Sequence, residues 1–214
     1  MATPIETVLA PDTIFSNLAS DAQIERTVKA LSAHGMQAVV VQNAAEARQK
    51  VAELVPAGAE VFISSSATLS QTGITDDIDN SGRYDSVRVK LSKLNYQTQG
   101  REMLKLGATP EYVLGSVHAL TETGTAIIAS ATGSQLGSYG AGAAKVIWVV
   151  GSQKIVPDFA VGMQRIREYT LPLEDARAMQ AYGMHSSINK TLVVDREATP
   201  GRITVIIVKE NLGF

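Results

Sequence analysis

Apolar and polar positions along the chain follow two rhythms. Short runs dominated by β-branched residues, at Gln37–Gln42, Glu60–Ile63, Lys145–Gly151, Lys190–Asp195 and Arg202–Val208, stand between longer stretches in which apolar residues recur every three or four positions. Runs without alternation read as strands buried on both faces, and the periodic stretches as helices covering them. Pro11 to Ala33 is expected to be helical, with Ile14, Leu18, Ile24, Val28 and Leu31 facing inward, Gly35 as its stop and Asp21 as a point where it can split. Ala44 to Val55 is expected to be a second helix, ended by Pro56-Ala57-Gly58. Ile74 to Tyr96 is polar and often broken, and reads as loop with a short helix near Ser86 to Leu94, followed by a helix over Gly100 to Leu106. Glu111 to Val117 and Thr125 to Ala129 read as strands joined by a turn that carries Glu122. Asp158 is placed to cap a helix reaching Tyr169, and Leu171 to Tyr182 is a further helix closed by Gly183.

The β–α–β order is that of a parallel sheet with helical crossovers. The last two strands are joined by a short connection around Thr199-Pro200-Gly201, which favours a mixed sheet over a purely parallel one. The class expected is therefore α/β. A chain of 214 residues fits one domain, 1–214, with a helical segment over 1–36.

Composition narrows the function. A net charge of −2 and an aromatic content of 5% give neither the field nor the stacking surface of a nucleic-acid binder. No apolar run approaches the roughly 20 residues of a membrane span, and Met1 to Thr13 lacks a leader pattern. The absence of cysteine excludes disulfides, thiol catalysis and iron–sulfur ligation by this chain's own thiolates, and fits a cytoplasmic protein. The histidines, His34, His118 and His185, do not show metal-ligand spacing, so no metal and no cofactor is expected.

Three segments carry candidate chemistry. Ser64-Ser65-Ser66-Ala67-Thr68 follows a strand and opens a helix, where hydroxyls and free N–H groups suit an anion; the same residues also suit plain helix capping. Gly133, Gly137, Gly140 and Gly142 precede the Trp148 strand in a loop that serves as a binding wall or lid, or is simply surface. Glu122 is the only carboxylate between Tyr112 and Asp158, and is either a nucleophile or general base at a sheet edge or a solvated turn carboxylate. His118, four residues before it, is either its acid–base companion or a core histidine. Lys154 follows a buried strand, at the end where ligands sit in open α/β sheets.

Taken together, Ser64-Ser65-Ser66-Ala67-Thr68-Leu69 through Gly73, Gly115, Thr121-Glu122-Thr123-Gly124-Thr125, Lys145–Gly151, Lys154-Ile155-Val156-Pro157-Asp158 and Pro200–Gly213 resemble the LUD-domain family, the lactate utilization protein C group. The resemblance implies a Rossmann-like, three-layer core with a mixed, mostly parallel sheet, similar to the NagB/RpiA/CoA-transferase-like superfamily. It implies a role in oxidising lactate to pyruvate as a non-metal subunit beside iron–sulfur partner proteins. CoA-transferase activity is not carried over, because Glu122 lacks the Glu-Asn-Gly or Glu-Gly-Gly setting. The expected site has Glu122 as the catalytic residue. Its expected binding residues are Ser64, Ser65, Ser66, Thr68, Thr123, Gly124, Thr125, Gly137 and Lys154. The alternative is a stand-alone enzyme or sensor for a small anionic metabolite: a sugar phosphate, carboxylate or CoA ester.

Overall fold

The computed structural model describes residues 10–214; residues 1–9, which hold most of the stretch without a leader pattern and the start of the 1–36 segment, lie outside the described part. The helix expected over Pro11 to Ala33 is split, as Asp21 suggested. A short 3-10 turn at Thr13–Ser16 is followed by α1 (Asp21–Ala33), which starts at a capping box: Gln23 N–H donates to Ser20 Oγ while the Gln23 side chain accepts from Ser20 N–H.

The remaining elements alternate. They are β1 (Gln37–Val41), α2 (Ala44–Leu54), β2 (Glu60–Ile63), α3 (Ala67–Gln71), α4 (Ile74–Asn80), β3 (Asp85–Ser86), α5 (Val87–Leu91), α6 (Tyr96–Ala108) and β4 (Tyr112–Gly115). The chain then enters β5 (Ala119–Thr121) and β6 (Ala126–Ser130), returns through β7 (Lys145–Gly151), and continues into β8 (Ile155–Val156), α7 (Phe159–Arg165), α8 (Leu171–Tyr182), β9 (Lys190–Val194) and β10 (Ile203–Val208).

The main sheet has six parallel strands in the order β1-β10-β7-β4-β2-β3. Its two faces are drawn from alternate positions of the same strands. Ile203, Val205 and Ile207 point with Val146, Trp148 and Val150 into one core, which α1 and the second sheet cover. Ile206 and Val208 point with Ile147 and Val149 into the other, covered by α2, α3 and α4. All six residues of β10 are buried, which is why it reads as a continuous apolar run.

The last two strands do not pair with each other, despite their short connection. β9 pairs with β6 in a separate four-stranded sheet, β8-β5-β6-β9, while β10 inserts between β1 and β7. The small sheet lays Leu120, Ala126, Ile128 and Ile155 on the main core and Ala119, Ile127 and Val156 beneath α7. Gly162 lets α7 come close, because a Cβ there would meet Ile127 and Ala119. The mostly parallel sheet is thus a wholly parallel sheet with a small mixed one on its face, and helices lie on both sides.

Among the described residues, no helix is long and apolar enough to cross a membrane.

Candidate functional site

The strands β2, β4 and β7 lie side by side, so the segments leaving their C-terminal ends converge. These are Ser64-Ser65-Ser66, Ser116 and Ser152-Gln153-Lys154. Lys154 is 2% exposed. Its Nζ donates to Thr68 Oγ1 at 3.0 Å and to Ser116 Oγ at 3.1 Å. Thr68 in turn donates to the Leu212 carbonyl, and Ser116 to that of Val117.

Arg165, fully buried on α7, reaches the same region from the other side. It donates to the Gln153 and His118 carbonyls and to Thr170 Oγ1, and its guanidinium lies over the Tyr169 ring at 5.1 Å. Its Nη2 has no hydrogen-bond partner among the described residues.

The partners of these two buried side chains are therefore hydroxyl and carbonyl oxygens rather than carboxylates. Burial, with the nearby Arg165 charge, pushes the Lys154 amine well below its usual value. His118 is held down to about 3 by burial and by the Lys154 and Arg165 charges, so its ring is neutral at physiological pH. Its Nδ1 accepts from Ala129 N–H at 3.1 Å, which places the ring proton on Nε2.

Ser64 closes the site on the β2 side. It is buried, and its Oγ lies 2.8 Å from the Tyr139 hydroxyl. Tyr139 comes from the glycine-rich loop, whose Ser138–Gly142 segment is a π turn, and its ring packs edge-on against Trp148 at 5.6 Å. Burial pushes the Tyr139 phenol up to about 12. Gly115 makes this contact feasible, because a Cβ at that position would fall on the Tyr139 hydroxyl. The loop is held by Arg202, which donates to the carbonyls of Ala143, Ser138 and Tyr139 and pairs with Glu197 at 2.7 Å.

The residues expected from the sequence fall into two groups. Ser64, Thr68 and Lys154 belong to this cluster. Ser65 beside them is exposed, and Ser66 is the N-cap of α3, its Oγ accepting from Leu69 N–H. A Cβ on Gly137 would point into open space at the start of the Tyr139 turn.

Glu122, Thr123, Gly124 and Thr125 form a second group. In the β5–β8 register Leu120 lies opposite Ile155, which puts Lys154 at the start of β5 and Glu122 beyond its end, about 10 Å further along the strands. There Glu122 accepts from Arg26 Nε at 2.6 Å and from Gln23 Nε2 at 3.0 Å, both on α1. Desolvation raises its carboxyl, but the Arg26 and Gln23 hydrogen bonds and the Arg26 charge outweigh that and hold it below the ordinary range. Gly124, at φ +88, fits the turn against Ala30 and His34. Thr123 Oγ1 lies 2.8 Å from Thr121 Oγ1, and Thr125 donates to Asp195.

Sequence reasoning did not single out Arg165, Ser116 or Tyr139 as site residues. Arg165 had a readable signal: it shares the buried stripe of its helix with Gly162, Ile166 and Tyr169, so a charge sits on an apolar face. Among the described residues, no group of three acidic, histidine or cysteine side chains is placed to hold a metal ion.

The fold and the cluster define an α/β protein that gathers its buried polar groups at the C-terminal edge of a parallel sheet. In fold it is similar to a DUF162-family protein from Deinococcus radiodurans solved by crystallography, with a TM-score of 0.57 at 14% identity over 90% of this chain and 99% of that one. No curated protein matches it. The LUD domain model matches residues 24–208, and the chain belongs to that family, which is linked in general to lactate utilization.

Proposed function

We propose that the protein serves lactate oxidation as a component without a metal of its own, beside partners that carry iron–sulfur clusters. Its own contribution is to bind a small carboxylate at the Lys154–Arg165 cluster. The observation that carries this reading is that Lys154 and Arg165 are both buried and bonded only to neutral oxygens, with Arg165 Nη2 left without a partner among the described residues. Burying such groups is costly, and an anionic ligand supplies the charge that offsets the cost. In this reading Ser64 and Tyr139 form the wall of the site. Glu122 is an anchor that fixes the β5–β6 turn to α1.

The test is a thermal-shift series on the full chain with lactate, pyruvate, sugar phosphates and CoA esters. Lactate or pyruvate raises the melting temperature, since a ligand at about 100 times its Kd adds about 2.7 kcal/mol to the native state. Lys154→Met removes the shift. A response confined to sugar phosphates or CoA esters would instead make the protein a stand-alone enzyme or sensor. Affinity purification from lactate-grown cells tests the partner half, with iron–sulfur proteins expected in the eluate.

A further inference from the structure

The hydrogen bonds around Lys154 specify more than a charge. The Thr68 and Ser116 hydroxyl protons are directed to backbone carbonyls, so both oxygens accept from the lysine rather than donate to it. Two accepted bonds match the two N–H groups of a neutral amine and leave its lone pair uncommitted, whereas an ammonium would carry a third N–H with no acceptor among the described residues. Ser116 is only partly buried, so the amine lies one side chain beneath the surface. Arg165 presents an unpartnered Nη2 in the same buried region, a donor suited to a carboxylate oxygen.

We infer that Lys154 is a nucleophile that forms a Schiff base with the carbonyl carbon of a small 2-oxo acid whose carboxylate is held by Arg165. This rests on the reading of the cluster as a carboxylate site and names the class of ligand.

The Nζ lone pair attacks the carbonyl carbon, and an amine proton passes to the carbonyl oxygen to give a carbinolamine. That oxygen leaves with the second amine proton as water, forming the C=N bond. No redox partner is needed, and water reverses the reaction. A 2-hydroxy acid has no carbonyl and cannot react in this way. Desolvation lowers the amine well below its usual value and so favours the deprotonated state that such lysines require.

The experiment is reductive trapping on the full chain. The protein is incubated at neutral pH with pyruvate, or with lactate as the control, treated with cyanoborohydride, digested and mapped by mass spectrometry. The expected result is a reduced pyruvyl adduct on Lys154 about ten-fold above that on exposed Lys29 or Lys93, and none with lactate. Lys154→Arg loses that adduct while its circular dichroism stays native. An adduct at Lys154 no greater than at the surface lysines overturns the proposal. If pyruvate still raises the melting temperature in that case, the binding reading survives and only the covalent step is lost. Absence of both the shift and the adduct removes both.

Discussion

Lys154 and His118 are bases that the folded protein holds deprotonated more strongly than the unfolded chain does, and the sign of the consequence follows from linkage. The unfolded chain takes up a proton on His118 near pH 6.5, the folded chain only near 3, so stability is complete above 6.5 and falls as pH drops through that window. Urea titrations at pH 7, 5.5 and 4.5 should show this loss, and His118→Gln should flatten it. For Lys154 the sign is the same: stability rises with pH from the lowered folded value up to the unfolded value of 10.5, and Lys154→Met abolishes that rise. Because methionine fills the same space without a polar head, Lys154→Met keeps stability at neutral pH within about 1 kcal/mol. The Gly115 position is less forgiving. Gly115→Ala drives a methyl onto the Tyr139 hydroxyl and costs about 1–3 kcal/mol by denaturant unfolding. Lys154 is visible in the sequence because it follows a buried strand, at the end where ligands sit in open α/β sheets. Its hydroxyl partners are not, since Thr68 and Ser116 are 86 and 38 residues away and no local pattern reports such pairings.

At the scale of elements, the longer buried strands and the short helix near Ser86 to Leu94 are legible, but β5 is not: the strand expected over Glu111 to Val117 ends at Gly115, and it is Ala119–Thr121 that leads into the Glu122 turn. Apart from a charged first residue, Glu60–Ile63 and Lys145–Gly151 coincide with uncharged, buried runs, because both faces of each are covered. The helix α4 lies in a stretch whose sequence reads as loop. It offers only Ile74 and Ile78 to the core, and its other positions include Asp76, Asp77 and Asp79. Two of these, Asp76 and Asp77, lie in its first turn, where the helix dipole favours them. The glycine-rich loop gave no sign of its π turn, because what shapes it is remote: Arg202 binds three of its carbonyls from the start of the last strand. Arg202→Met removes the cation from Glu197, which keeps its Thr199 N–H bond, and should cost about 1–3 kcal/mol. If Arg202 positions Tyr139, the variant also changes Tyr139 near-UV absorbance or dichroism, which a loss confined to the Glu197 end would leave alone.

The whole molecule is two sheets of unequal protection. The central strands β10 and β7 are buried almost throughout, whereas β9 holds one edge of the small sheet with Lys190, Thr191 and Val193 exposed. Hydrogen exchange should therefore be slowest in Val205–Ile207 and Val146–Val150 and much faster in β9. That the final two strands belong to different sheets was hidden because a short connection reads as a hairpin unless the partners are known. The insertion of β10 between β1 and β7 also sets a timetable. Among the described strands β1 emerges from the ribosome first, yet the neighbour it hydrogen-bonds emerges after the other eight. Until residues 203–208 arrive, an apolar strand waits without its ladder and the centre of the sheet is missing. The core of this domain is therefore completed only once β10 has been made, and the nascent chain needs protection until then.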